Sequence, residues 1–397
     1  MSAFARCISV SLGGWPTTEF PAEVAATPRA GLAVAHPISQ EFFFFPPQGT
    51  GDPRVMATIS LIVPVRNEGR AIEQTLRSLL TQDYPSSDYE VIVADGISTD
   101  DTVPIVRRLQ GEFPNLKLVF NPARFSSAGR NTAIRHMTGD YAIIVDGHCQ
   151  VPDRNYLSNL ARAFEHSGAD SLGRPQPLDA PAATPFQKAV SVARSSRLGH
   201  NPDSDIYSNQ AKYVHPGSTA VAYRRSVFET IGLFDQAFDA CEDVEFNERV
   251  YQAGFSCYFT PSLKIGYHPR TSLPSLFKQL ARYGCGRARL ARKHPSSLTP
   301  AALIPPLWLG FLIVGAILSF IIPFIGWVYS LGMMIYLVVI LAVSAHLALS
   351  QPWRVGIRLP LVFLAIHTGF AWGFLRETAR QLNHLIRSRL DRCREMV

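Results

Sequence analysis

The sequence predicts an α/β fold with a mainly parallel sheet, followed by C-terminal transmembrane helices. Three observations carry this. From Thr58 onward, short β-branched apolar runs alternate with segments of helical spacing, the pattern of βαβ units whose strands pair in parallel. Polar clusters follow the strands, as they do where parallel strands end at a binding crevice. Between residues 295 and 353 there is no Asp, Glu, Lys or Arg, a stretch far longer than the roughly 20 apolar residues that cross a bilayer.

Residues 1–55 have no sustained periodicity, are rich in Pro, Gly and Ala, and hold an isolated Phe42 to Phe45 tract. They are expected to be a disordered extension, and they lack the basic region and uninterrupted apolar region of a signal peptide. Met56 directly precedes the first convincing strand, so translation is expected to start there. The globular part, 56–270, then reads as strand 59–63, helix 68–80, strand 89–93, helix 99–110, strand 117–120, helix 127–138 and strand 141–145. Residues 172–214 turn irregular, with Pro175, Pro177, Pro181, Pro185 and Pro202 leaving room only for a helix at 186–198. Such loops shape the entrance of a site. His215-Pro216-Gly217-Ser218 leads into a strand at 219–223, its glycine permitting close approach of a ligand.

A helix opens near Asp239 and runs through Tyr251. Residues 273–293 place Leu273, Leu276, Phe277, Leu280, Tyr283 and Leu290 on one stripe and basic residues elsewhere, so 271–295 is expected to lie as an amphipathic helix on a membrane surface. Apolar segments follow at 301–322, 324–349 and 359–375, within 300–375. The basic residues before the first, with Arg354 and Arg358 after the second, put both flanks in the cytoplasm. The third either spans, leaving the basic amphipathic tail 376–397 outside, or enters shallowly and keeps it inside.

Of the 397 residues only 17% are charged, and 47% are hydrophobic. The net charge of +7 lies mostly beside the apolar segments, where it addresses anionic lipid rather than nucleic acid. Six scattered cysteines without a Cys-x-x-Cys pair imply neither a zinc ribbon nor a disulfide framework, which fits a reducing compartment. Cys149 and Cys241 are expected to be packing thiols. The absence of Gly-x-Gly-x-x-Gly and of Gly-Lys-Ser/Thr argues against a dinucleotide-binding Rossmann domain and a P-loop NTPase.

The strand at 141–145 ends in Asp146-Gly147-His148. A carboxylate and an imidazole at a strand tip can ligate a metal, although the same run is also an ordinary polar turn. The crevice is acidic, so phosphates would bind there through a divalent cation. Arg130, opening the third helix, is either a further phosphate partner or a locally paired side chain.

Val63-Pro64-Val65-Arg66-Asn67-Glu68, Asp95-Gly96-Ile97-Ser98-Thr99-Asp100, Ala128-Gly129-Arg130-Asn131 and Gly139-Asp140-Tyr141 leading to Asp146 resemble the family 2 glycosyltransferases of the GT-A nucleotide-sugar-binding fold. Pro216-Gly217-Ser218, Tyr223-Arg224-Arg225, Gly232-Leu233-Phe234-Asp235, Glu242-Asp243 and Gln279-Leu280-Ala281-Arg282-Tyr283 continue the resemblance in order, from about Ile59 to Arg289. The family usually carries Asp-x-Asp at the strand tip; Asp146-Gly147-His148 resembles the bacterial exopolysaccharide glucosyltransferases of the succinoglycan type. An imidazole suits Mn²⁺ better than Mg²⁺.

The resemblance implies a metal-dependent inverting hexosyltransferase using Mn²⁺ or Mg²⁺, with its catalytic domain on the cytoplasmic side of the inner membrane. The implied donor is a nucleoside-diphosphate sugar, UDP-linked, and the acceptor a polyprenyl-diphosphate-linked glycan or a polysaccharide, with membrane lipid and glycan-assembly machinery as partners. Asp95 would hydrogen-bond the nucleobase, beside Glu68 and the backbone of Pro64, Val65 and Asn67. Asp146 and His148 would face metal and diphosphate, His148 either ligating or hydrogen-bonding. Asp243 would be the general base, with Glu242 contacting the sugar or orienting the base; read alone, the two are ordinary first-turn acids of a helix. Gly217 would lie near the sugar. Gln279, Arg282 and Tyr283 resemble the Gln-x-x-Arg-Trp signature of processive synthases, where the aromatic residue abuts the acceptor. A processive polysaccharide synthase and a non-catalytic nucleotide-sugar-binding scaffold are the alternatives.

Overall fold

The computed structural model describes residues 57–178, 183–200 and 204–395; the N-terminal extension and the Met56 start lie outside the described residues. β1 (Ile59–Val65), α1 (Ile72–Leu80), β2 (Tyr89–Asp95), α2 (Thr102–Gln110), β3 (Leu116–Phe120), α3 (Ser126–Arg135) and β4 (Tyr141–Ile144) follow in that order. β1 pairs in parallel with both β2 and β4, and β2 with β3. Alternate β1 side chains feed two cores: Ile59, Leu61 and Val63 pack with Leu76, Val106 and Leu160, whereas Ile62 packs with Ile134 and Phe246. A strand covered on both faces shows no polar alternation, which is why β1 reads as a continuous apolar run. Where the chain enters β4, a Cβ on Gly139 would lie 2.6 Å from the Ser60 amide nitrogen, so only glycine lets it pass β1.

α4 (Tyr156–Ser167), β5 (Ser171–Gly173), α5 (Pro185–Arg194), β6 (Lys212–Tyr213), α6 (Pro216–Thr219), β7 (Ala220–Arg224), α7 (Arg225–Ile231), α8 (Glu242–Gln252) and β8 (Cys257–Phe259) complete the domain. The eight strands form one sheet in the order β3-β2-β1-β4-β7-β5-β8-β6. β7 runs antiparallel to β4 and β5, and β6 to β8. The strand expected at 219–223 is displaced by one residue, because Thr219 closes α6.

α9 (Leu273–Lys293) is followed by α10 (Pro300–Ser319), α11 (Pro323–Ala348), the short α12 (Trp353–Gly356) and α13 (Leu359–Glu395). Among the described residues, three stretches are long and apolar enough to cross a membrane: Pro300–Ser319 and Pro323–Ala348, each of mean hydropathy 2.2, and Trp353–Ser388, at 1.5. Protein covers only 11% of the first two but 50% of the third. The helix that carries the third apolar segment, α13, continues past residue 375 to Glu395.

Most of the apolar stripe of α9, expected to rest on lipid, packs on protein, with Leu273 left exposed. Leu276 and Leu280 pack with Val190 of α5, Ile340 of α11 and Val362, Phe363 and Ile366 of α13. Small residues let α9 and α13 meet backbone to backbone: a Cβ on Gly284 would sit 2.0 Å from the Phe370 carbonyl oxygen, and one on Gly373 1.9 Å from that of Ala281. Several of the α9 basic residues are counter-ions within the fold. Arg289 pairs with Asp239 and Glu377, and Lys293 with Asp235 and Glu245.

Candidate active site

The loops beyond the carboxyl ends of β1, β3 and β4 border a cleft of about 460 Å³, closed opposite by α5, the start of α8, α9 and residues 267–270. The walls include Pro64, Val65 and Glu68 after β1, Asp146 and His148 after β4, and Arg130 on α3. Glu242, Asp243, Gln279, Arg282 and Tyr283 supply the far side. Asn67, Asp95 and Gly217 do not line this cleft. Asn67 ties two loops together: its amide donates to Ser98 Oγ at 2.8 Å, and its Oδ1 accepts from the Thr99 amide at 2.9 Å. Asp95 is fully buried; Oδ2 accepts from the Ser98 amide at 3.0 Å, and Oδ1 has no partner. The Gly217 amide donates to His215 Nδ1 at 3.1 Å within α6, which packs on α8.

At the β4 tip, a Cβ on Gly147 would meet Val65 Cγ1 at 2.6 Å, so glycine is what lets β1 and β4 deliver their loops side by side. The Thr75 hydroxyl lies 3.0 and 2.9 Å from the Gly147 and Cys149 carbonyls and pins the turn to α1. His148 Nδ1 lies 3.1 Å from Glu68 Oε1, and Nε2 lies 3.2 Å from the Tyr267 hydroxyl. The Glu68 hydrogen bond holds His148 above its ordinary pKa, against the opposing effect of burial. Burial pushes the Cys149 and Cys241 thiols up to about 12, so neither is a ready nucleophile.

Where α3 meets the start of α8, the buried Arg130 guanidinium reaches Glu242 Oε1 at 3.3 Å and lies 5.2 Å over the Phe234 ring. Its Nε and Nη1 are buried without a protein partner. Glu242 and Asp243 open α8, directly after Cys241. Asp243 Oδ1 accepts from the Val244 amide at 2.9 Å. Burial first, then the adjacent Glu242, raises the Asp243 pKa, while Arg130 opposes. Asp243 is an exposed residue of the cleft wall, so solvent screening discounts that shift.

Among the described residues, the non-glycine positions with left-handed backbone are Asn67, Ile97, Arg124 and Cys241, in the loops after β1, β2 and β3 and just before α8. Such conformations persist where the surroundings over-determine them, commonly at functional sites. Cleft residues not anticipated from the sequence include Arg124, Phe125, Tyr267, His268 and Arg270. Tyr267-His268-Pro269-Arg270 is a dense aromatic and basic run just before α9, and that was its available signal.

A family model described as glycosyl transferase family 2 matches residues 60–232. The succinoglycan biosynthesis protein ExoA of Rhizobium meliloti is 30% identical over 329 residues, covering 81% of this chain and 95% of its own length. The chain belongs to the family 2 glycosyltransferases. Dolichyl N-acetyl-alpha-D-glucosaminyl phosphate 3-beta-D-2,3-diacetamido-2,3-dideoxy-beta-D-glucuronosyltransferase of Methanococcus voltae is 28% identical over 334 residues, 81% of this chain and 97% of its own. Among solved structures, the mannosyltransferase PcManGT from Pyrobaculum calidifontis, in complex with GDP-Man and Mn²⁺, aligns with a TM-score of 0.52 at 22% identity. It covers 81% of this chain and 89% of its own. The family 2 glycosyltransferase described here therefore shares the GT-A fold, with its cleft where that fold's parallel strands end.

Proposed function

We propose that this glycosyltransferase is a membrane-anchored, metal-dependent inverting enzyme. It moves a hexose, glucose or a close relative, from a UDP-linked donor to a polyprenyl-diphosphate-linked glycan in exopolysaccharide or cell-envelope synthesis. The observation that carries the reading is one cleft lined by Asp146 and His148 from the β4 tip and by Glu242 and Asp243 from the start of α8. Inverting transfer needs that division, with the departing diphosphate on one face of the sugar and a proton acceptor on the other.

The residues present fit a divalent cation. Among the described residues no group of three or more His, Cys, Asp or Glu is clustered to hold a metal, but hard cations in phosphate sites take one or two carboxylates and fill the rest with phosphate oxygens and water. Asp146 supplies the carboxylate. Glu68 at Nδ1 is the usual support for a metal-bound imidazole, and His148 Nε2 would ligate by exchanging its Tyr267 contact for the cation. Bound there, a cation neutralises charge on the departing diphosphate. Relatives named for glycan synthesis and a fold neighbour holding GDP-Man and Mn²⁺ support a nucleoside-diphosphate sugar as donor. Arg130, with two unpartnered nitrogens in the cleft wall, is available to donor oxygens.

Asp243 takes the proton of the acceptor hydroxyl as that oxygen attacks the anomeric carbon, the bond to the diphosphate breaks, and the nucleoside diphosphate leaves. Glu242, paired with Arg130, orients this group. Gln279, Arg282 and Tyr283 form the acceptor end. Val190 both lines the cleft and packs with α13, so the acceptor end lies against the apolar helices, which favours a lipid-linked acceptor. α10 and α11 form a two-pass anchor in the inner membrane, with the catalytic part in the cytoplasm. Asp243→Asn tests the reading: it keeps volume and hydrogen bonding but cannot accept a proton, so transfer should fall about 10²–10⁴-fold. UDP binding, measured by calorimetry, should remain. Undiminished transfer would reduce Asp243 to a helix-terminal acid.

A further inference from the structure

Arg289 stands between two carboxylates from distant parts of the chain. Its Nε donates to Glu377 Oε1 of α13 at 2.9 Å, and its Nη1 donates to Asp239 Oδ1, in the segment that runs into Glu242. The same helix grips that segment twice more. Arg282 Nη2 donates to the Asp239 carbonyl at 2.8 Å, and the α9 backbone passes so near that a Cβ on Gly286 would lie 2.6 Å from the Ala240 oxygen and 2.7 Å from Cys241 Sγ. Cys241, the last residue before the acid pair, is held at φ 60, a conformation an L side chain adopts only under constraint. On its opposite face α9 is in backbone contact with α13, at Gly284 and Gly373.

We infer that Arg289 is a positioning residue that makes the placement of Glu242 and Asp243 depend on α13 being seated against α9. Glu377 is 7% exposed, and a buried carboxylate without its counter-ion does not stay buried. Without Arg289, α13 loses its ion pair to α9, Asp239 loses its side-chain partner, and one of the three grips that hold the Asp239–Cys241 segment is gone, which loosens the left-handed conformation of Cys241. Asp243 then moves relative to the sugar, while the β1 and β4 loops of the donor side keep their supports and only the Arg130–Glu242 pair is loosened. Transfer thereby becomes conditional on the docking of an apolar C-terminal helix. The inference rests on reading Asp243 as the base.

The test uses the full chain in membranes, with Arg289→Met, Arg289→Lys, Glu377→Gln and Asp243→Asn compared. Three quantities are read: label transfer to extracted lipid from the UDP-sugar best used by wild type, UDP binding in Mn²⁺, and alkylation of Cys241 by N-ethylmaleimide, followed by peptide mass spectrometry. Arg289→Met should transfer about 10²-fold more slowly, bind UDP as wild type does, and expose Cys241 to alkylation. Arg289→Lys, which keeps the charge, should recover part of the rate, and Glu377→Gln should fall in the same direction as Arg289→Met. Wild-type transfer by Arg289→Met or Glu377→Gln beside a silent Asp243→Asn overturns the positioning role, as does loss of UDP binding in step with transfer. Full transfer by Asp243→Asn overturns the base assignment instead. Should Arg289→Met fail to accumulate, Glu377→Gln and Arg289→Lys decide by the same criteria.

Discussion

Replacing Asn131 by alanine should unfold the domain at a much lower temperature, although the residue lies in a motif that reads as functional. Its side chain is buried and brackets one backbone position: Nδ2 donates to the Phe234 carbonyl at 2.8 Å, and Oδ1 accepts from the Phe234 amide at 2.9 Å. Alanine leaves both main-chain groups buried and unpaired. Each such group costs about 1–3 kcal/mol, so together they cost about 2–6 kcal/mol. For a globular part of roughly 200 residues this corresponds to a fall in Tm of roughly 4–24 °C. Phe234 lies under Arg130 and stacks on Phe246 at 4.3 Å, so the loosened loop also slackens the Arg130–Glu242 pair, and transfer should fall with stability. Thermal unfolding in detergent, followed by near-UV circular dichroism, measures it. A Tm within about 2 °C of wild type would refute the reasoning, because the bracketed groups would then have found other partners.

Three further outcomes are expected. Glu242→Gln removes the neighbouring negative charge that raises the Asp243 pKa; a base must be ionised to act, so the acid limb of the transfer–pH profile should move to lower pH, and a limb that stays or moves up contradicts the arrangement. Asp146→Ala should abolish the increment that Mn²⁺ adds to UDP binding, measured by titration calorimetry with and without EDTA; a persisting increment places the cation elsewhere. Gly139→Val forces a side chain against the backbone of Ser60 and should cost about 1–3 kcal/mol in stability, read as a lowered denaturation midpoint, whereas an unchanged midpoint would mean that the β4 entry shifts freely.

β1, β2 and β4 were legible because sheets covered on both faces demand unbroken β-branched runs. β5 and β6, of three and two residues, carry no period to detect and exist only through pairing with β7 and β8. The acid pair and the β4 tip were legible as motifs, but motifs say which residues recur and not what they touch. Asn131 turned out to hold a backbone loop, and Asn67 to stitch two others. The α9 helical pattern announces one apolar and one basic face. It cannot say whether the basic face meets phosphate headgroups or the carboxylates of Asp235, Asp239 and Glu377, since those partners come from other parts of the chain. Tyr267 reaches His148 across 119 residues of sequence, a contact that only the fold reveals.

The close seating of α13 on α9 also sets an order of events during synthesis. α13 follows every other described element, so it leaves the ribosome after the sheet and α9 have emerged. Until then the α9 stripe of Leu276 and Leu280 has no α13 to cover it, and the nascent chain carries an uncovered apolar face of the kind that invites misassembly. A chain whose translation stops before α13 retains every strand of the sheet but lacks the helix that packs on α9. Early stop codons before α13 should therefore yield partial products with this apolar face uncovered, sticky and short-lived.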